Sequence, residues 1–197
     1  MHQLKNFQKG WGSQSIVIAA LAFMSCSPTA NREKAILDLT SETAVADYLM
    51  TLDLGTINFP TSGSDTAQSY FVQGVAALHN FDYYDAAILF RAAQRVEPDF
   101  AMAYWGEAMT YTAVVWRRYP GGQQHRDKAL SVLARLGPTP EARAAKAPTE
   151  REKGYLAAVE ALYLGVDDKR TRDFAHLDAM RQLSEQYPDD EEALAFY

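Results

Sequence analysis

From residue 65 to residue 197 the chain is nearly continuous helix-forming sequence cut by short turns, and that alternation leaves room for little but an all-α fold. Apolar residues recur at helical spacing: Phe174, Leu177, Met180 and Leu183 follow one another at threes, as one face of a helix requires. The breaks carry turn chemistry, with Pro98-Asp99 echoed by Pro188-Asp189 and with Gly137-Pro138 between them. Thr149 followed three residues later by Glu152 has the form of a capping box at a helix start.

The spacing within this region can be laid against known repeats. In the stretch 67–100, Tyr70, Gly74, Ala86, Phe90, Ala93 and Pro98 stand at aromatic, Gly, Ala, aromatic, Ala and Pro places of a 34-residue unit, with a turn at Asn80-Phe81-Asp82-Tyr83. Ala77 departs from the pattern, where a Tyr is usual. A second unit, 101–136, carries Tyr104, Ala108 and Tyr111 at matching places, and Tyr119-Pro120-Gly121-Gly122 delays its second helix. A degenerate third covers 149–188, and a further helix starts near 190. The region resembles tetratricopeptide-repeat (TPR) proteins. The resemblance implies antiparallel helix pairs stacked as a right-handed solenoid, in which Gly74 and Ala86 are small where two helices cross and Asp82 caps the second helix. An apolar segment at the C-terminus, Ala193 to Tyr197, has the character of a first helix without its partner, which suggests a fragment or an end covered by another chain.

The first 64 residues read differently. Lys5 and Lys9 precede an apolar run from Ile16 to Met24 and then Ser25-Cys26. Such a run is too short to span a bilayer, which needs about 20 residues, and has the form of an export signal. Leu21 to Cys26 resembles a bacterial lipoprotein signal, with Phe23 where Leu is preferred and Met24 bulkier than usual. It implies cleavage before Cys26, lipidation of that cysteine, and a membrane-anchored place in the bacterial cell envelope, at the periplasmic or outer face. A plain signal peptide with an incidental cysteine is the alternative. Residues 26–64 are then a polar tether, a short helix at about 42–52 with Ser41 as its N-cap, and a Gly, Pro and Ser-rich loop from Gly55.

With Cys26 the sole cysteine, an intramolecular disulfide and a cysteine metal cluster are excluded. A net charge of −6 gives no basic face of the kind a nucleic-acid partner needs. No catalytic constellation, metal site or cofactor motif is recognisable: His125-Arg126-Asp127 matches a kinase triplet in letters only, without a Gly-rich loop before it. Polar residues at inward places, Gln73 and Glu107, with His79 nearby, form a candidate polar site, or else simply hydrogen-bond one another or the backbone. TPR geometry puts one face of each first helix on a groove. Here that face holds Phe71, Val75, Leu78, Met102, Trp105 and Met109, with Trp116 one turn further, and the same stripe would also serve as core under a neighbouring helix. The charged run from Glu141 to Lys153 reads as solvated helix and linker. The expected function is a lipid-anchored scaffold for a protein or peptide partner; the alternative is the repeat portion of a larger hydrolase or metal-dependent enzyme whose catalytic part lies elsewhere.

Overall fold

The computed structural model describes residues 41–112, 123–165 and 168–197, all in one compact unit starting at Asp38. The expected export signal with Cys26, the expected turn at Tyr119–Gly122, and Trp116 lie outside the described residues. Among the described residues every regular element is a helix: α1 (Glu42–Leu49), α2 (Asp65–His79), α3 (Tyr83–Val96), α4 (Ala101–Met109), α5 (Gln123–Leu136), α6 (Pro140–Ala144), α7 (Glu150–Tyr163), α8 (Lys169–Gln186) and α9 (Glu191–Ala195). None of them is long and apolar enough to cross a membrane.

The helices stack in pairs. α2 packs along α3, α4 against α5, and α7 along α8, while the first helices α2, α4 and α7 lie side by side. Local chemistry explains the ends. Ser41 accepts a hydrogen bond from the Ala44 amide and Thr149 one from the Glu152 amide, so both expected N-caps form. α3 stops at Val96, two residues before Pro98, and α7 ends ahead of Gly165, whose φ of +86° is left-handed. Asp82 precedes α3 but makes no side-chain cap bond, contrary to expectation. Its backbone amide closes α2, donating to the Ala77 carbonyl while Phe81 N–H donates to that of Leu78. That pair of bonds is a Schellman closure, and it forces Phe81 to φ 60°, where glycine is usual.

Packing between pairs rests on close approaches to one ring. A Cβ added at Gly74 would lie 2.8 Å from the Phe90 ring, and one added at Gly106 closer still. Phe90 of α3 is therefore wedged between glycines of α2 and α4, and ties the first pair to the second. Ala86 and Ala93 on the same helix are fully buried. In the third pair Gly154 plays the same part, with Leu183 2.5 Å from where its Cβ would be.

One reading from sequence needs correcting. The run from Glu141 to Lys153 is not a simple solvated face: Arg143 and Glu152 are 4% and 1% exposed. Arg143 Nε donates to Glu160 at 2.5 Å and its Nη1 to the Gly137 carbonyl at 2.9 Å. This buried pair joins α6 to α7 and holds the connection between the second and third pairs.

Gly74→Leu will overpack the Phe90 contact, costing on the order of 1–3 kcal/mol and lowering the thermal midpoint by several degrees. Phe81→Gly will act in the opposite sense, raising stability by about 0.5–1 kcal/mol, because it removes the left-handed penalty from an exposed side chain. Calorimetry of both variants against wild type checks the pair.

Candidate functional site

The side of the stack lined by the first helices carries a cluster of buried aromatic residues. Phe71 on α2, Trp105 on α4 and Tyr155 on α7 form its floor. Its cover comes from the irregular segment between α1 and α2. Phe59 sits over all three, with ring centroids 5.2 Å from Phe71, 5.6 Å from Trp105 and 4.9 Å from Tyr155. From the other end Phe196, just past α9, meets Trp105 edge-on at 5.0 Å and stacks on His79 at 5.0 Å.

That cover corrects the expected open groove. Phe71, Val75, Met102 and Trp105 are fully buried, and Leu78 and Met109 nearly so. These six side chains are core in this structure. The reason lies in the segment at 53–62, which crosses the inner face and excludes solvent from it. α4 is buried along its whole length in consequence.

The segment is held chiefly through its main chain. Ahead of it, Gln73 Nε2 donates to the Leu49 and Leu52 carbonyls at the end of α1, at 3.0 and 2.9 Å; within it, Asn80 donates to the Leu54 carbonyl at 3.1 Å. Gln68 Nε2 donates to the Phe59 carbonyl at 2.7 Å, and Arg151 Nη1 to that of Pro60 at 2.8 Å. In return the Ser62 amide donates to Glu152 at 2.6 Å and the Ser64 amide to Glu97 at 2.7 Å. The strap thus runs antiparallel to α2, from Leu54 beside Asn80 to Phe59 beside Gln68.

Gln73, His79 and Glu107 do not meet as a polar site. Gln73 ties α2 to the end of α1, just ahead of the strap. His79 Nε2 bonds to Glu192 at 2.8 Å and so fastens α9 to α2. Glu107, 2% exposed, accepts from Gln94 at 2.7 Å, from Arg91 at 3.2 Å and from Arg135 at short range. Arg91 and Arg95 extend this chain to Glu42, so one buried carboxylate links α3, α4 and α5 and, through Arg91, α1.

Beside the strap opens a cleft of about 760 Å³, lined by Asn58, Pro60, Thr61 and Ser62 on one side and by Thr149, Arg151, Glu152 and the Gln186–Glu191 turn on the other. Arg151 organises it. Its guanidinium grips Asp190 through two hydrogen bonds, at 2.6 and 2.9 Å, and lies over the Phe59 and Tyr155 rings at 4.8 and 5.1 Å. Tyr155 Oη donates to the same carboxylate at 2.9 Å. Burial pushes the Asp190 carboxyl up, but the bonds from Arg151 and Tyr155 and the Arg151 charge outweigh it and hold the group below its ordinary value. Burial, then the Asp190 charge, drive the Tyr155 phenol strongly upward, so it stays a donor. With Arg151, Glu152 and Asp190 committed to one another, the strap and Thr149, the exposed charges left on the rim are Asp189 and Glu191.

Sequence reasoning missed Phe59, Arg151, Asp190 and Phe196. One signal was present. Arg151 stands in the first turn of a helix, where the dipole disfavours a cation, and such a violation calls for a distant anion. Among the described residues no group of three or more His, Cys, Asp or Glu is placed to hold a metal ion.

Asp190→Asn will cost on the order of 1–3 kcal/mol at neutral pH by leaving Arg151 half-paired. Because the folded carboxyl titrates below its unfolded value of about 3.9, the stabilisation is complete above that pH and is lost as pH falls through the folded value. Urea melts of wild type and variant from pH 7 to pH 2 should therefore converge below about pH 4. A gap that stays constant would mean that the carboxylate charge plays no part.

No family model, curated protein or solved structure matches this chain.

Proposed function

We propose that this chain is an exported, TPR-type right-handed solenoid, lipid-anchored at Cys26 in a bacterial envelope, that binds an extended segment of a protein partner on its inner face and in the adjoining cleft. The observation that carries this reading is the strap. The inner face holds an extended stretch of main chain through Gln68, Asn80 and Arg151 side chains that donate to backbone carbonyls, with one aromatic anchor between them. A surface that grips backbone in this way is suited to peptide recognition. The cleft leaves room for a second segment alongside.

Charge narrows the partner. Asp189 and Glu191 on the cleft rim favour a segment carrying Lys or Arg, and the overall charge of −6 favours such a partner at long range. Nucleic acid is a poor fit on the same grounds.

Two experiments test the reading. Growth with a clickable fatty acid should label the wild-type chain, and Cys26→Ser should abolish the label. A photo-crosslinking residue at Glu191, in native envelopes, should capture a partner that the same residue at Lys169 on α8 does not. Equal capture at both positions, or none at Glu191, would remove the cleft as the binding site.

A further inference from the structure

Trp105 is fully buried, yet its indole N–H has no hydrogen-bond partner. It lies at the centre of the inner face, with Phe59 of the strap against one part of it and Phe196 against another. A buried donor without an acceptor is a cost the fold carries continuously. The strap fills the apolar volume above the indole but supplies no oxygen to it.

The strap is also fastened mostly through its main chain, with Leu54 and Ile57 only half-buried against the core. Phe59 is its single fully buried side chain, and Asn58 and Pro60 on either side are exposed. The clamps from Gln68 and Arg151 reach carbonyl oxygens, which every peptide possesses. Gly55, at φ 97° with open space about it, lies at the start of the crossing, and Gly63, pressed on the Phe100 ring, lies after it. Asn58, Pro60, Thr61 and Ser62 themselves form one wall of the cleft, so an incoming chain can settle beside the strap before the strap moves.

We infer that the strap is a displaceable, built-in occupant of the binding face, and that the partner which replaces it is an extended peptide with an aromatic–proline pair, whose backbone supplies the acceptor that the Trp105 N–H lacks. This rests on the peptide-binding reading above and specifies its site and its regulation. In the resting protein the strap closes the inner face. A partner engages the cleft first, through its basic residues, then inserts its aromatic residue where Phe59 was. The strap competes at an effective concentration on the order of millimolar, so only a peptide that gains the extra bond or the cleft contacts displaces it readily.

The test uses the full chain and the indole N–H resonance of Trp105. In the wild type, hydrogen exchange at that N–H in low denaturant should proceed by a local opening, with weaker denaturant dependence than the backbone amides of α4. A synthetic peptide of residues 53–64, Asp-Leu-Gly-Thr-Ile-Asn-Phe-Pro-Thr-Ser-Gly-Ser, should shift the resonance in Phe59→Ala at a concentration at least tenfold lower than in wild type. The same peptide with Ala for Phe should not shift it. Exchange only through global unfolding would overturn the proposal, as would a folded Phe59→Ala chain whose resonance the peptide leaves in place. Should that variant not fold, the wild-type exchange measurement decides alone. A strap that never opens would still leave crosslinking at Glu191 intact, so failure here is distinguishable from failure of the cleft as a partner site.

Discussion

A helix that is apolar on every side must be covered on every side, and α4 is such a helix: each of its nine residues except Glu107 is nonpolar or aromatic, and all nine are buried. Much of the arrangement follows from that demand. α3 and α5 cover its outer flanks, α2 and α7 its sides, and the strap and Phe196 the inner face that stacked pairs alone would leave open. The wedge of Phe90 between Gly74 and Gly106 sets how closely α2 and α4 can be brought together around α3.

The polar residues inside this arrangement act as fasteners. Glu107 is the one acid on α4, and its burial is compensated by Arg91, Gln94 and Arg135 from the two helices on either side. Arg151 does the corresponding work at the other end, tying α7 to the α8–α9 turn and to the strap. His79 with Glu192 closes the ring by bringing α9 back to α2. Apart from Glu107–Arg135, which lies within the α4–α5 pair, these contacts reach beyond a single pair and so oppose the independent movement that repeats sharing only nearest-neighbour contacts would have.

Much of the helical framework was legible in the residues. The caps at Ser41 and Thr149, the stop at Gly165 and the small residues Gly74 and Ala86 are local or periodic signals, and helix ends are governed by groups within a turn of one another. The inner face was not legible in the same way. The periodicity that marks Phe71, Trp105 and Met109 as facing one side is identical whether that side meets solvent, a partner or the chain's own loop. The loop that covers them has the Gly, Pro and Ser content of an exposed connection, and Phe59 is a single aromatic within it.

The sequence by itself therefore determined most of the helices, the caps at Ser41 and Thr149 and the small residues at Gly74 and Ala86, because these depend on neighbours a few residues apart and on the size of individual side chains. Only the tertiary structure decided that the inner face is occupied and that Gln73, His79 and Glu107 serve three different contacts. The same holds for Arg151, which meets Asp190 across 39 positions and the Pro60 carbonyl across 91. Those outcomes depend on pairings between distant segments, and a pairing of that kind is set by which surfaces the packed helices leave uncovered rather than by any pattern along the chain.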